Sequence, residues 1–459
     1  MALVDIIGDR WVEQGEDIGE RYRVDIMEKY SASPGWLAKP ESTEQVSAIM
    51  RAASEAGVPV TVIGGQSGTS GGAIPSDGGL ALSLERMNQI VEIDTLSMMM
   101  TVEAGCILQL AQEAAEGEGA FLPVDLGARG SAMIGGVIGT NAGGNRVVRW
   151  GMMRDMVIGL EAVLADGTVV SSLTKMLKDN AGYHWKHLLV GSEGTLGIVT
   201  KAVLRLRPLP TTKQTALVAA KSFEDMITVM RRLERDLSGQ LSSFELMWDD
   251  FYAAMTDAQL DQRPCPMPTG YGIYALVEAM GGSEALDTEL FTGALTTLME
   301  EGLVDDAVIA QSARERDALW AVREDLLPGI GKLKPFVSYD VSMAIADMPS
   351  FVTAARDALE KAYPGVTMLF YGHAGDGNLH ATVSIGKLDE TIKNGFNDAV
   401  FGAVRDVGGS ISAEPGIGMD RMPWLSWTRS ESELALMRSI KQAIDPAGIL
   451  NPGKLLPAA

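Results

Sequence analysis

Cysteine is nearly missing from this sequence: there are two in 459 residues, Cys106 and Cys265, with no CxxC pair and no third partner. That excludes a legible disulfide framework or iron–sulfur site and suits a reducing compartment, so a cytoplasmic setting is expected. Histidine is almost as scarce, at four. Basic charge is also short, since 38 Lys and Arg stand against 60 Asp and Glu, a formal charge of −22. So acidic a chain lacks the basic face that nucleic acid or an anionic membrane needs, and only local Arg or Lys can meet an anionic ligand. No uncharged run reaches the roughly 18 residues of a membrane helix, and MALVDIIGDRWVEQGEDIGERY opens without a basic stretch and apolar core. Neither a span nor an export signal is expected. What remains is an ordinary globular composition, 46% hydrophobic and 21% charged, long enough for two or more domains.

Two of the four histidines fall in one stretch, Tyr371 to His380, YGHAGDGNLH. The apolar run from Val366 to Phe370 enters it and the alternating run Ala381 to Ile385 leaves it, which predicts two short strands around a glycine turn with a histidine at each rim. Glu414, in SAEPGIG, follows a predicted strand from Gly409 to Ala413. Two imidazoles and a carboxylate make a half-open site for a divalent ion. The same pattern also reads as a hydrogen-bonded turn with incidental histidines, because H-x6-H is not a common metal spacing.

Glycine is concentrated in three further places. The predicted strand Val58 to Ile63 runs into GGQSGTSGGAIP, whose free backbone N–H groups suit a pyrophosphate, although the spacing matches neither common nucleotide loop. A flexible loop is the alternative. Seven glycines between Gly127 and Gly144 either let backbone approach a flat, partly apolar ligand or mark a buried helix at crossings. A third turn, Gly191 to Gly197, lies between apolar runs. At Arg207-Pro-Leu-Pro210 glycine thins, regular helices begin, and a split β-α-β rhythm repeats, so a boundary is expected there.

GGQSGTSGG, IGGVIGTNAGG, GSEGTLGIVT, GHAGDGNLH, the Glu414 turn and NPGKLL stand in the order found in one family. From about Pro40 to Leu456 the chain resembles the FAD-dependent D-2-hydroxyacid dehydrogenases of the vanillyl-alcohol-oxidase superfamily, the D-2-hydroxyglutarate, D-lactate and glycolate type. The resemblance implies an α+β fold: a two-part FAD-binding domain over 1–210, a ferredoxin-like substrate cap over 211–420, and a C-terminal segment over 421–459 returning to the first. It implies that FAD is held by Ile63, Gly64, Gly65, Gln66, Ser67, Gly68, Thr69 and Ser70, by Gly135, Gly136, Gly139, Thr140, Asn141 and Gly144, by Gly197, Ile198 and Val199, and by Glu414 and Asn451. No histidine stands between Ile63 and Pro75, so the flavin is expected to be non-covalent. His373, His380 and Glu414 match the family's metal ligands, with zinc favoured over manganese or iron. Asn378 matches a substrate-contacting residue and Arg323 the arginine that pairs the substrate carboxylate. The implied reaction is metal-assisted hydride transfer from C2 of a small 2-hydroxy acid to flavin N5. Its electrons would go on to a quinone, an electron-transfer flavoprotein or oxygen, and a homodimer is compatible with the family.

Four departures bear on that reading. The family's Glu-His-Gly, whose histidine is the general base, is here Glu414-Pro415-Gly416, and proline takes no proton. The family lysine before Tyr-Asp-Val-Ser is Ser338, and the lysine after the Glu-His-Gly turn is Arg421. Tyr-Asp-Leu-Lys is Tyr183-His-Trp-Lys186, which brings in His184 and His187. His184 is the leading candidate for a relocated base, and His187 reads as a packing residue.

Overall fold

The computed structural model describes residues 2–257 and 265–457, which form two compact units. The first comprises Met1–Gly144, Gly151–Leu209 and Glu414–Ala459; the second comprises Asn145–Trp150 and Pro210–Ala413. The sequence-based ranges therefore shift. Asn145–Trp150 joins the second unit because Arg146 Nη1 lies 2.6 Å from buried Glu278 and Arg149 Nη1 donates to the Met280 carbonyl at 2.6 Å. The first unit resumes at Glu414, ahead of the expected 421.

In the first unit, β1 (Val12–Gln14), β2 (Trp36–Ala38), β3 (Val60–Ile63) and β4 (Leu80–Ser83) form a sheet ordered β1-β2-β4-β3, with β2 and β3 both parallel to β4. The helix Thr43–Ala56 precedes β3. Ser42 caps it by accepting from the Gln45 amide, and Val46, Ile49, Met50 and Ala53 give it one apolar face. A second, antiparallel sheet, ordered β5-β6-β10-β8-β9, joins β5 (Ile90–Asp94), β6 (Met99–Glu103), β8 (Val157–Val163), β9 (Val169–Ser172) and β10 (Ile198–Arg205). A small pair links β7 (Ala120–Phe121) to β11 (Arg207–Pro208). The returning C-terminal segment docks on β3, where the Val60 amide donates to the Ile449 carbonyl and the Asn451 amide to the Val60 carbonyl, both at 2.8 Å. From the sequence, residues 1 to about 30 read as a short helix and an approach segment; the structure has the helix Leu3–Ile7 and, in addition, β1. Three-residue strands carry too few positions to show a period.

The second unit is a seven-stranded antiparallel sheet, β15-β12-β14-β13-β17-β18-β16. Its first half, β12 (Thr212–Ala220), β13 (Leu241–Trp248), β14 (Ile273–Gly281) and β15 (Asp306–Ile309), carries the helices Phe223–Asp236 and Glu284–Glu300 in a ferredoxin-like order. Ser222 caps the first of these helices, and Met226, Val229, Met230 and Leu233 seat it on the sheet face bearing Phe244, Leu246 and Val277. The second half repeats the plan with β16 (Val337–Ser342), the helix Met348–Ala362, β17 (Thr367–His373), β18 (Asn378–Ser384) and the helix Glu390–Asp406. Its fourth strand, expected at Gly409 to Ala413, is reduced to a single backbone bridge between Ser410 and Ser342 of β16. The halves join where β13 pairs with β17, placing Glu245 opposite His373. Among the described residues no helix is long and apolar enough to cross a membrane.

Candidate active site

In the first unit the three glycine tracts are tied together by backbone. Gly65 sits where a Cβ would lie 1.8 Å from the Ser131 carbonyl oxygen, so only glycine lets the loop after β3 lie against the second tract. At Gly68, Gly136 and Gly139 a Cβ would meet nothing within 4 Å, so these backbones border open space. The Glu193 carboxylate accepts from the Ile417 and Gly418 amides at 2.7 and 2.8 Å, while its own amide donates to the Gly139 carbonyl. Burial raises the Glu193 carboxyl above its ordinary value, against the pull of those two amides and Arg421. Asn451 donates its side-chain amide to the Gly72 and Glu193 carbonyls at 2.9 and 2.8 Å and accepts from Thr61, so it pins the first and third tracts to β3. Asn141 accepts from the Arg154 amide, and Ser70 donates to the Pro415 carbonyl at 2.9 Å. The unit thus ties the three glycine tracts and the C-terminal segment together, with the open backbones of Gly68, Gly136 and Gly139 among the residues expected to hold FAD.

In the second unit one face of the sheet collects polar groups. Side chains alternate along a strand, so direct partners in register and residues two apart share a face. Glu245 faces His373, His373 faces Asn378, Tyr371 faces His380, and His380 faces Asp340. The turn between the histidines closes at Gly377, with φ of +83° and the Met343 carbonyl 2.5 Å from where a Cβ would be. The imidazoles converge, with the two Nε2 atoms 3.2 Å apart. Behind them stand carboxylates: Glu245 accepts from His373 Nδ1 at 2.8 Å, and Asp340 lies 3.8 Å from His380 Nδ1.

Arg323 reaches this face from the last turn of the helix Ala313–Glu324, capped by Ser312. It is 5% exposed, which rules out an ordinary surface helix residue. Its guanidinium lies 4.9 Å above the Tyr371 ring, and Nη2 is 2.9 Å from Glu245 Oε2. Even so, Nε and Nη2 have no hydrogen-bond partner among the described residues, and neither does Asn378 Oδ1. The Asn378 side-chain amide, by contrast, donates to Asp340 at 2.9 Å. Burial would raise the Glu245 carboxyl, but His373 and Arg323 outweigh it and hold the group below its ordinary value, ionised. Burial, with His373 and Arg323 adding to it, pushes His380 well below its usual value, leaving a neutral imidazole.

Of the residues expected from sequence, the second unit brings together His373, His380, Asn378 and Arg323. Glu414 follows Ala413, whose amide donates to the Asp340 carbonyl at 3.3 Å, so the chain leaves this unit beside the strand paired with His380. His184 lies in the first unit, exposed, with its ring 4.2 Å from that of His187. His187 is half-buried and its carbonyl accepts from Arg154 at 2.9 Å, as a packing residue would. Sequence reasoning missed Glu245 and Asp340. The available signal for Glu245 was a lone carboxylate inside the apolar strand SSFELMW.

Residues 34–172 match the family described as FAD binding domain, and residues 209–455 match FAD linked oxidases, C-terminal domain. The chain is 38% identical over 443 residues to a D-2-hydroxyglutarate dehydrogenase of Xanthomonas citri pv. viticola, covering 95% of this chain and 92% of that one. It is 34% identical over 456 residues to the mitochondrial D-2-hydroxyglutarate dehydrogenase of Bos taurus, covering 99% and 83%. Among solved structures it is similar in fold to p-cresol methylhydroxylase with substrate bound, with a TM-score of 0.75 at 18% identity over 98% of this chain and 95% of that one. Alkyldihydroxyacetonephosphate synthase gives a TM-score of 0.72 at 17% identity, over 98% and 83%.

Proposed function

This chain belongs to the FAD-linked oxidase family and is an FAD-dependent hydroxyacid dehydrogenase, and we propose that it oxidises a small D-2-hydroxy acid of the lactate, 2-hydroxyglutarate or glycolate class to the 2-oxo acid. One observation carries the choice of substrate. A buried guanidinium whose Nε makes no hydrogen bond and whose Nη2 has only the Glu245 ion pair, and a buried amide oxygen without a donor, belong to the same unit as the histidine pair. A carboxylate satisfies the first and a hydroxyl the second, and a 2-hydroxy acid carries both on adjacent carbons.

The residues present fit the two implied groups. The open backbones of Gly68, Gly136 and Gly139 leave room for a flat ligand. Two nitrogens bound about 2.0–2.1 Å from one tetrahedral zinc are roughly 3.3 Å apart, close to the 3.2 Å between the histidine Nε2 atoms. We assign His373, His380 and Glu414 as the ligand set, with zinc favoured over manganese or iron because an imidazole and carboxylate set suits all three but zinc's half-open geometry best. When bound, FAD takes the hydride from substrate C2 and the ion makes the 2-hydroxyl more acidic.

The chain's own residues do the rest. Arg323 clamps the carboxylate and fixes which face of C2 is presented. Asn378 accepts a hydrogen bond from the hydroxyl. Pro415 cannot take the proton; His184 is the leading candidate for a relocated base and a metal-bound hydroxide the second, and the other route is a substrate whose hydroxyl is acidic enough for the ion alone to deprotonate. Reoxidation falls to a quinone, an electron-transfer flavoprotein or oxygen. Ser338 in the place of a lysine favours substrates without a second carboxylate. Pro415 also supports a second reading, a flavoprotein of this fold without turnover on simple 2-hydroxy acids. Anaerobic mixing with paired D- and L-2-hydroxy acids separates the readings. Loss of flavin absorbance with D-acids supports oxidation; an unchanged spectrum with every acid supports the second reading.

A further inference from the structure

Glu245 has no role in the scheme above, yet it is the most enclosed charge beside the histidines, at 1% exposure. His373 Nδ1 lies 2.8 Å from both of its oxygens; Oε1 also accepts from Ser243 Oγ at 2.9 Å, and Oε2 lies 2.9 Å from Arg323 Nη2. The register of β13 against β17 puts it directly opposite His373, so the contact is set by backbone pairing rather than by a flexible reach. A neutral imidazole has one N–H. A carboxylate at Nδ1 draws that proton there and leaves the Nε2 lone pair facing the second histidine.

We propose that Glu245 is the positioning residue of this site: it fixes the tautomer in which His373 offers Nε2 to the ion, and the same carboxylate holds the guanidinium that takes the substrate carboxylate. One buried carboxylate thereby ties ion binding to carboxylate binding. The inference rests on the metal reading given above. Its alternative is a purely structural ion pair between Glu245 and Arg323, which would leave ion affinity untouched.

The test uses the full-length, FAD-loaded protein. Zinc affinity is measured by competition with a chromophoric chelator in wild type and in Glu245→Gln, with flavin content and thermal midpoint as folding controls. Glutamine is uncharged and puts an N–H donor in place of one of the two oxygens, so it cannot hold His373 Nδ1 and the Arg323 guanidinium as the carboxylate does. Zinc affinity is expected to fall roughly 10- to 100-fold with flavin retained, and the KM for a D-2-hydroxy acid to rise as well. Equal zinc affinity in a folded, flavin-loaded variant would overturn the inference while leaving the metal reading intact. A wild-type protein that takes up no zinc would defeat both. Because the variant can fail to fold, nitrogen NMR of the four histidines in zinc-loaded wild type provides an independent check. His373 protonated at Nδ1 with a strongly deshielded proton is the expected result, and His373 protonated at Nε2 refutes the proposal.

Discussion

Replacing Arg323 with Met removes the cation assigned to the substrate carboxylate while keeping side-chain length. A charge-assisted hydrogen bond is worth ~1.5–3 kcal/mol, and a fork making two of them would supply ~3–6 kcal/mol. At about 1.4 kcal/mol per tenfold, kcat/KM should fall by roughly two to four decades. The same change leaves buried Glu245 without its guanidinium. Breaking a buried pair costs ~3–5 kcal/mol, and the lower end applies because His373 and Ser243 still donate to that carboxylate. Arg323→Lys should recover part of the stability but less of the activity, since an ammonium cannot replace a planar fork. The assay is anaerobic stopped-flow reduction of the bound flavin over a range of D-2-hydroxy acid concentrations, with thermal unfolding alongside. A folded, fully flavinated Arg323→Met protein reduced at the wild-type rate would refute the assignment.

Gly65→Ala should cost the protein its flavin, because the added methyl meets the Ser131 carbonyl at 1.8 Å and forces the first glycine loop off the second; spectra of the purified variant with added FAD check this. Cys106 is buried and its thiol is pushed up to about 11 by burial, whereas Cys265 is exposed, so a disulfide-exchange reagent should titrate one thiol in the native protein and two after denaturation. Pro415→His should raise flavin reduction markedly if the native chain lacks an adequate base. If His184 is that base, His184→Ala should lower the rate about 10²- to 10⁴-fold, and an unchanged rate would eliminate it.

The site was legible where its signals are local. GHAGDGNLH announces a hairpin because apolar runs flank a glycine turn, and the structure extends those strands through both histidines. The cap helices were legible from apolar spacing, while their serine caps at Ser222 and Ser312 were seen only in the structure. Glu245 was not, because its meaning depends on β13 meeting β17, a pairing between segments 128 residues apart. No periodicity within either strand reports its neighbour. The pinning role of Asn451 escaped for the same reason, since its partners Gly72 and Glu193 are brought to it by the docking of the C-terminal segment on β3. The strand expected at Gly409 to Ala413 failed differently. Its composition suits a strand, but only Ser410 makes the backbone bridge to β16.

The central claim is that this flavoprotein removes hydride from C2 of a D-2-hydroxy acid. Its most direct test is an anaerobic titration of the FAD-loaded protein with each acid, following flavin absorbance while quantifying the 2-oxo acid formed. The account predicts one equivalent of 2-oxo acid per flavin reduced with at least one D-acid and none with its L-enantiomer. Flavin that stays oxidised with every D-acid, or that bleaches without a matching yield of 2-oxo acid, would contradict it.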